Sequence, residues 1–125
     1  MAKILVVDDE PVILRVLGET LRDAGHEVAT AAGGVEALKL TRNAPFDLVI
    51  TDLIMPEKEG IETIMDLHRQ APITKIIAMS GGGRSSAENY LATARMLGAK
   101  RTLAKPFSKI ELLDAVAQVL SDENR

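Results

Sequence analysis

Five short runs rich in β-branched and aliphatic residues alternate strictly with longer stretches whose apolar residues recur at helical spacing, and this alternation limits what the chain can fold into. The runs are Ile4-Leu5-Val6-Val7, Val28-Ala29-Thr30, Leu48-Val49-Ile50, Ile76-Ile77-Ala78-Met79 and Thr102-Leu103-Ala104. Helical stretches begin near Pro11, Gly34, Gly60, Ala87 and Ser108. Strands read as continuous apolar runs when both faces are covered, and strand-helix repetition covers them by making a parallel sheet between two helical layers. The expected class is α/β, one domain over residues 1–125, with no internal linker, low-complexity tract or sequence repeat. A chain of 125 residues that is 46% apolar fits one ordinary domain, and two are not expected. In the first helical stretch Val12, Ile13, Val16, Leu17, Leu21 and Ala24 form the expected core stripe, Pro11 suits the first turn and Gly25 the stop. Ser108 followed by Glu111 reads as a capping box at the start of the last helix.

The ends of the runs carry the chemistry. Ligands of open parallel sheets bind outside the carboxyl ends of the strands. At those ends stand Asp8, Asp9 and Glu10, then Thr51 and Asp52, then Ser80, then Lys105, all placed on one edge by parallel strands. Gathered carboxylates repel one another and tend to protonate unless a cation holds them. An all-oxygen, carboxylate-rich site suits Mg²⁺, which keeps several waters and often shares its coordination with a phosphoryl oxygen. With the Lys105 ammonium and the Ser80 hydroxyl added, the edge reads as a site for a transferring phosphoryl group.

Several function classes are disfavoured. There are no cysteines, hence neither disulfides nor thiolate metal sites. The start MAKILVVDDE is too short and too acidic for a signal peptide, and no apolar stretch nears the roughly 20 residues that span a bilayer, so a cytoplasmic protein without membrane contact is expected. A net charge of -3 and an aromatic content of 2% argue against direct nucleic-acid binding. The blander readings are specific as well. Asp9 or Glu10 alone would cap a helix, Lys105 alone would be a solvated lysine, and Ser80 alone a turn residue. His26 and His68 read as surface residues, Asp47 as surface at the opposite edge, and Met55, Met65, Met79 and Met96 as core filler. The glycine-rich SGGGRSSAEN lacks the Gly-Lys-Ser/Thr ending of a nucleotide-binding loop and reads as a flexible connection.

VVDDE with Asp8 and Asp9, DLVITDLIMPEKEG with Asp52, MSG with Ser80 and LAKPF with Lys105 together resemble the receiver domain of bacterial two-component response regulators, over essentially the whole chain. The resemblance implies a flavodoxin-like fold with strand order 2-1-3-4-5. It also implies a regulatory phosphoacceptor rather than a turnover enzyme. Asp52 would accept the phosphoryl group from a sensor histidine kinase or phosphotransfer protein. Asp8, Asp9, Asp52 and the Ile54 backbone carbonyl would hold Mg²⁺, and Lys105 and Ser80 would engage the phosphoryl oxygens. A cis bond at Lys105-Pro106, an output partner, and a monomer or a dimer formed on phosphorylation are implied in the same way. Thr102 departs from the pattern, since many receivers carry an aromatic residue there whose rotamer follows the hydroxyl. The signal's route across the fourth helix, fifth strand and fifth helix is correspondingly open, and Arg84, Arg95, Lys100 and Arg101 in or near that region could form a partner surface, with solvated charge the blander reading of each. Two alternatives share these ingredients: a Mg²⁺-dependent phosphatase with an aspartyl nucleophile, and a pseudo-receiver that no longer takes phosphate. Adjacent aspartates and the lack of length for a cap disfavour the first, and intact Asp52, Ser80 and Lys105 disfavour the second.

Overall fold

The chain was analysed as a computed structural model that describes residues 1–53, 60–81, 92, 94, 95 and 97–121. Strands β1 (Lys3–Val7), β2 (Glu27–Ala31), β3 (Leu48–Asp52), β4 (Lys75–Ser80) and β5 (Arg101–Ala104) form one sheet in the order β2-β1-β3-β4-β5, every pair parallel. Four described helices accompany them: α1 (Pro11–Asp23), α2 (Gly34–Asn43), α3 (Gly60–Gln70) and α4 (Lys109–Ser121). The helical stretch expected from Ala87 falls mostly outside the described residues, although Ala92, Ala94 and Arg95 are helical.

Period-two alternation sorts each strand between two cores. Ile4, Val6, Leu48, Ile50, Ile77 and Met79 face Leu17 and Leu21 of α1 and Leu112, Val116 and Val119 of α4. Leu5, Val7, Val49, Ile76 and Ala78 face Ala37 of α2, Ile64 and Leu67 of α3, and Ala94. A central strand such as β1 or β3 therefore has no solvent face, which is why its sequence is an unbroken apolar run. Each large side chain fully buried there contributes about 1.5–3 kcal/mol.

The α1 stripe differs from expectation. Val12 and Val16 are 55% and 44% exposed and Ala24 is exposed, while Leu17, Gly18, Thr20 and Leu21 are buried and Ile13 and Leu14 pack against the core. The buried face is rotated toward Leu14 and Gly18, a choice that apolar spacing leaves open because Val12, Ile13 and Leu14 are contiguous. The helix stops as expected. Gly25 takes φ +96°, its N–H donates to Arg22 C=O at 2.9 Å, and the His26 N–H donates to Leu21 C=O at 3.1 Å, a Schellman closure. The capping box of α4 forms in both directions, Glu111 N–H to Ser108 Oγ at 3.0 Å and Ser108 N–H to Glu111 Oε1 at 2.9 Å. Met79 fills the core, whereas Met65 is 42% exposed, and Met55 and Met96 lie outside the described residues. None of the described helices is long and apolar enough to cross a membrane.

Candidate functional site

Strand register decides what meets at the carboxyl edge. Val7 pairs with Thr51, Asp52 with Met79 and Met79 with Leu103, so Asp8 and Asp52 are level, while Ser80 stands one position and Lys105 two positions farther toward the carboxyl edge. Backbone bonds hold each strand end: Asp8 N–H to Ala31 C=O at 3.1 Å, Leu53 N–H to Met79 C=O at 2.9 Å, and Lys105 N–H to Ser80 C=O at 2.7 Å. The Lys105-Pro106 peptide is cis, as the resemblance implies.

The adjacent aspartates have different environments. Asp8 is fully buried, and Asp9 is exposed. Asp8 Oδ1 accepts the Glu10 N–H at 3.0 Å and Asp8 Oδ2 accepts from Lys105 Nζ at 2.7 Å. Glu10 occupies the cap position of α1 but its side chain makes no capping bond, so the helix-cap reading does not account for it. Lys105 Nζ also lies 3.2 Å from Asp52 Oδ1 and 3.9 Å from Glu10 Oε1. Its side chain is 18% exposed, which makes this a shielded ion pair rather than a surface one.

One carboxylate oxygen from each of Asp8, Asp9 and Asp52 can be drawn within 4.8 Å of the others. Three hard oxygen donors at that separation fit a small divalent cation. Burial, opposed by Lys105 and reinforced by the charges of Asp8 and Asp9, raises the Asp52 carboxyl above its ordinary range. Burial alone would lower Lys105, but its bond to Asp8 and the charge of Asp52 outweigh that and hold the ammonium above its ordinary value. Ser80 is fully buried, and among the described residues its Oγ is the one buried side-chain polar atom without a hydrogen-bond partner. A buried hydroxyl left without a partner costs about 1–3 kcal/mol. The Ile54 carbonyl lies outside the described residues, as do most of SGGGRSSAEN and Arg84.

The response regulator receiver domain family matches residues 4–117. The chain belongs to that family. Among curated proteins the receiver resembles the DNA-binding transcriptional regulator NtrC of Azospirillum brasilense, at 36% identity over 96% of this chain and 24% of that protein. It also resembles the alkaline phosphatase synthesis transcriptional regulatory protein PhoP of Bacillus subtilis, at 35% identity over 94% of this chain and 48% of that protein. The chain thus spans roughly a quarter to a half of these two relatives. Among solved structures it superposes on the chemotaxis protein CheY4 of Vibrio cholerae with a TM-score of 0.85 and 36% identity, covering 95% of this chain and 98% of the other. A CheY-like receiver from Methanospirillum hungatei gives 0.88 at 29% identity, covering 98% and 96%.

A receiver is a regulatory signalling domain, and the five-stranded 2-1-3-4-5 topology places its acidic edge at the point where strand order reverses. Other residues singled out in the sequence are spread elsewhere. Asp47 and His26 sit at the opposite edge, His68 is exposed at the end of α3, and Arg95 and Lys100 are exposed. His26 is more than a surface residue, because its Nδ1 accepts the Ala2 N–H at 3.2 Å. Arg101 donates to Gln118 Oε1 of α4. Thr102 is half-buried opposite Ala78. Sequence reasoning missed Gly81, where an added Cβ would stand 3.1 Å from Lys105 Cβ; its only signal was its place directly after Ser80.

Proposed function

We infer that this receiver is the phosphoacceptor switch of a two-component system, with residues 1–125 acting as one unit. The carrying observation is the Lys105 ammonium lying between Asp8 and Asp52, at 2.7 and 3.2 Å, beside the unpartnered Ser80 hydroxyl. Phosphoryl transfer asks a protein for in-line positioning and charge neutralisation more than for covalent chemistry, and these groups supply both.

An Asp52 carboxylate oxygen attacks the phosphorus of a phosphohistidine carried by a sensor kinase or phosphotransfer protein. The new O–P bond gives an acyl phosphate while the N–P bond breaks and its electron pair returns to the imidazole. Asp8, Asp9, Asp52 and the Ile54 carbonyl would hold Mg²⁺, which when bound neutralises charge on the phosphoryl oxygens. Lys105 then exchanges part of its pairing with Asp8 for the phosphoryl oxygens, and Ser80 donates its hydrogen to them. The added charge of about -2 at a buried edge is a local event able to bias a two-state element that an output partner reads. The reaction is regulatory transfer and self-dephosphorylation in a cytoplasmic protein, as a monomer or a phosphorylation-dependent dimer, with no direct nucleic-acid contact.

Intact mass after incubation with a small phosphoryl donor and Mg²⁺ tests this. A single metal-dependent phosphoryl increment, absent from Asp52→Asn and from chelated samples, is expected. A folded, Mg²⁺-binding protein that takes no increment from a small donor or from any histidine phosphotransfer protein is a pseudo-receiver. Steady turnover of phosphate esters would make it a phosphatase.

A further inference from the structure

The strand order makes the Lys105–Asp8 contact demanding. β5 and β1 are separated by β4 and β3, and at about 4.8 Å per strand their axes lie about 14 Å apart. A lysine side chain reaches only about 6 Å from its Cα. Lys105 Nζ nonetheless stands 2.7 Å from Asp8 Oδ2. The side chain must therefore lean flat across the end of β4 while Asp8 leans back over β3.

The residue under that crossing is Gly81. Ser80 pairs with Ala104, so Gly81 is the next position opposite Lys105, and the Lys105 N–H bond to Ser80 C=O fixes the approach. A Cβ at Gly81 would stand 3.1 Å from Lys105 Cβ, 3.3 Å from Cδ and 3.6 Å from Cγ. Carbon atoms rest at about 3.5–4.0 Å, so two of these three contacts are too close. The φ of Gly81 lies outside the left-handed region, so the glycine is needed there for space and not for backbone freedom.

We propose that Gly81 is a positioning residue for Lys105: its missing side chain lets the lysine stem cross β4 and seat its ammonium on Asp8 as an internal counter-ion that yields to Mg²⁺. The proposal rests on the phosphoacceptor reading for its purpose, but its geometry is a property of the metal-free protein. A Cβ at position 81 lifts the stem, withdraws the ammonium from Asp8 and leaves that carboxylate free for a divalent ion. The seated ammonium therefore sets how tightly the site binds metal and where the positive charge stands when a phosphoryl group arrives.

The deciding experiment compares the full chain with Gly81→Ala, without metal, by hydrogen exchange of the Lys105 ammonium in nitrogen-15 NMR. Loss of a charge-assisted bond should speed exchange about fivefold while the amide spectrum stays folded. Unchanged exchange overturns the proposal. Calorimetric Mg²⁺ titration adds a cycle: Gly81→Ala should tighten binding several-fold in the parent and not at all when Lys105→Ala is also present. Equal effects in both backgrounds overturn it. If Gly81→Ala does not fold, Lys105→Ala in the same chain should restore folding by removing the crowded stem, and failure to restore overturns it too. A parent that binds no Mg²⁺ sinks the phosphoacceptor reading and with it the metal-tuning half of this one, while the exchange comparison still decides whether Gly81 positions Lys105.

Discussion

The two edges of the sheet solve the same problem in opposite ways. At the amino edge polar groups are spent on backbone: Asp47 Oδ2 accepts the Lys3 N–H at 2.8 Å, Thr74 donates to Phe46 C=O at 2.8 Å, His26 accepts from Ala2, and Lys75 Nζ donates to Val119 C=O at 3.0 Å. At the carboxyl edge the buried Asp8 and Asp52 are paired with a half-buried Lys105, Asp52 is held above its ordinary carboxyl range, and Ser80 has no partner among the described residues. Both edges begin as strand ends with charged residues beside them. The amino edge ties its polar groups to backbone, and the carboxyl edge sets its charged groups against one another, the arrangement on which the proposed phosphoacceptor role rests.

Removing the central cation from each edge should separate them most sharply. Lys105→Ala leaves two buried carboxylates uncompensated and should cost about 2 kcal/mol in metal-free denaturant unfolding, with much of that loss recovered by Mg²⁺. Lys75→Ala should cost about 1 kcal/mol through lost helix capping and stem packing, with no recovery. Equal, metal-insensitive losses would erase the contrast between the edges.

Asp52→Asn sharpens the same point with the opposite sign. The folded state raises the Asp52 pKa, so the stability lent by its protonated form is present below the ordinary carboxyl range and is lost as pH rises through the raised value. Above the raised value the charged Asp52 is thus a net burden, and Asn should stabilise the metal-free fold there. That gain should fade in acid, as thermal melts across pH would reveal. Asp47→Asn at the other edge should give no gain at any pH.

Smaller still, Ser80→Ala removes an unsatisfied hydroxyl and should leave stability unchanged or raise it by about 0.5–1 kcal/mol, whereas Thr74→Val breaks a made bond and should lower it by about 1 kcal/mol. Urea midpoints for the pair test this, and a clear loss in Ser80→Ala would mean its hydroxyl is already engaged. The least effect belongs to His26, whose pKa is lowered by burial and by the nearby amino terminus. Its contribution is present above the ordinary histidine range and drains away as pH falls through the lowered value. A slight acid-side loss of melting temperature that His26→Gln abolishes is expected.

Much of this molecule was legible before its structure. Strands surrounded on both faces write themselves as unbroken apolar runs, and carboxyl-end placement made Asp8, Asp52, Ser80 and Lys105 one group. The buried face of α1 was not legible, because three consecutive aliphatic residues satisfy helical spacing on either side of Ile13. Nor was the division between adjacent acids, Asp8 buried under Lys105 and Asp9 exposed, since two neighbours in a chain differ only by the direction each side chain takes.

By itself, then, the sequence determined the alternation, the sheet class and which chemistry-bearing residues share an edge, because periodicity and strand ends are local properties. Only the tertiary structure decided that Lys105 seats on Asp8 more closely than on Asp52, that Ser80 has no partner among the described residues, and that Gly81 makes room for the crossing. Those depend on strand order and on the space between residues far apart in the chain, and no local pattern encodes a distance across four strands.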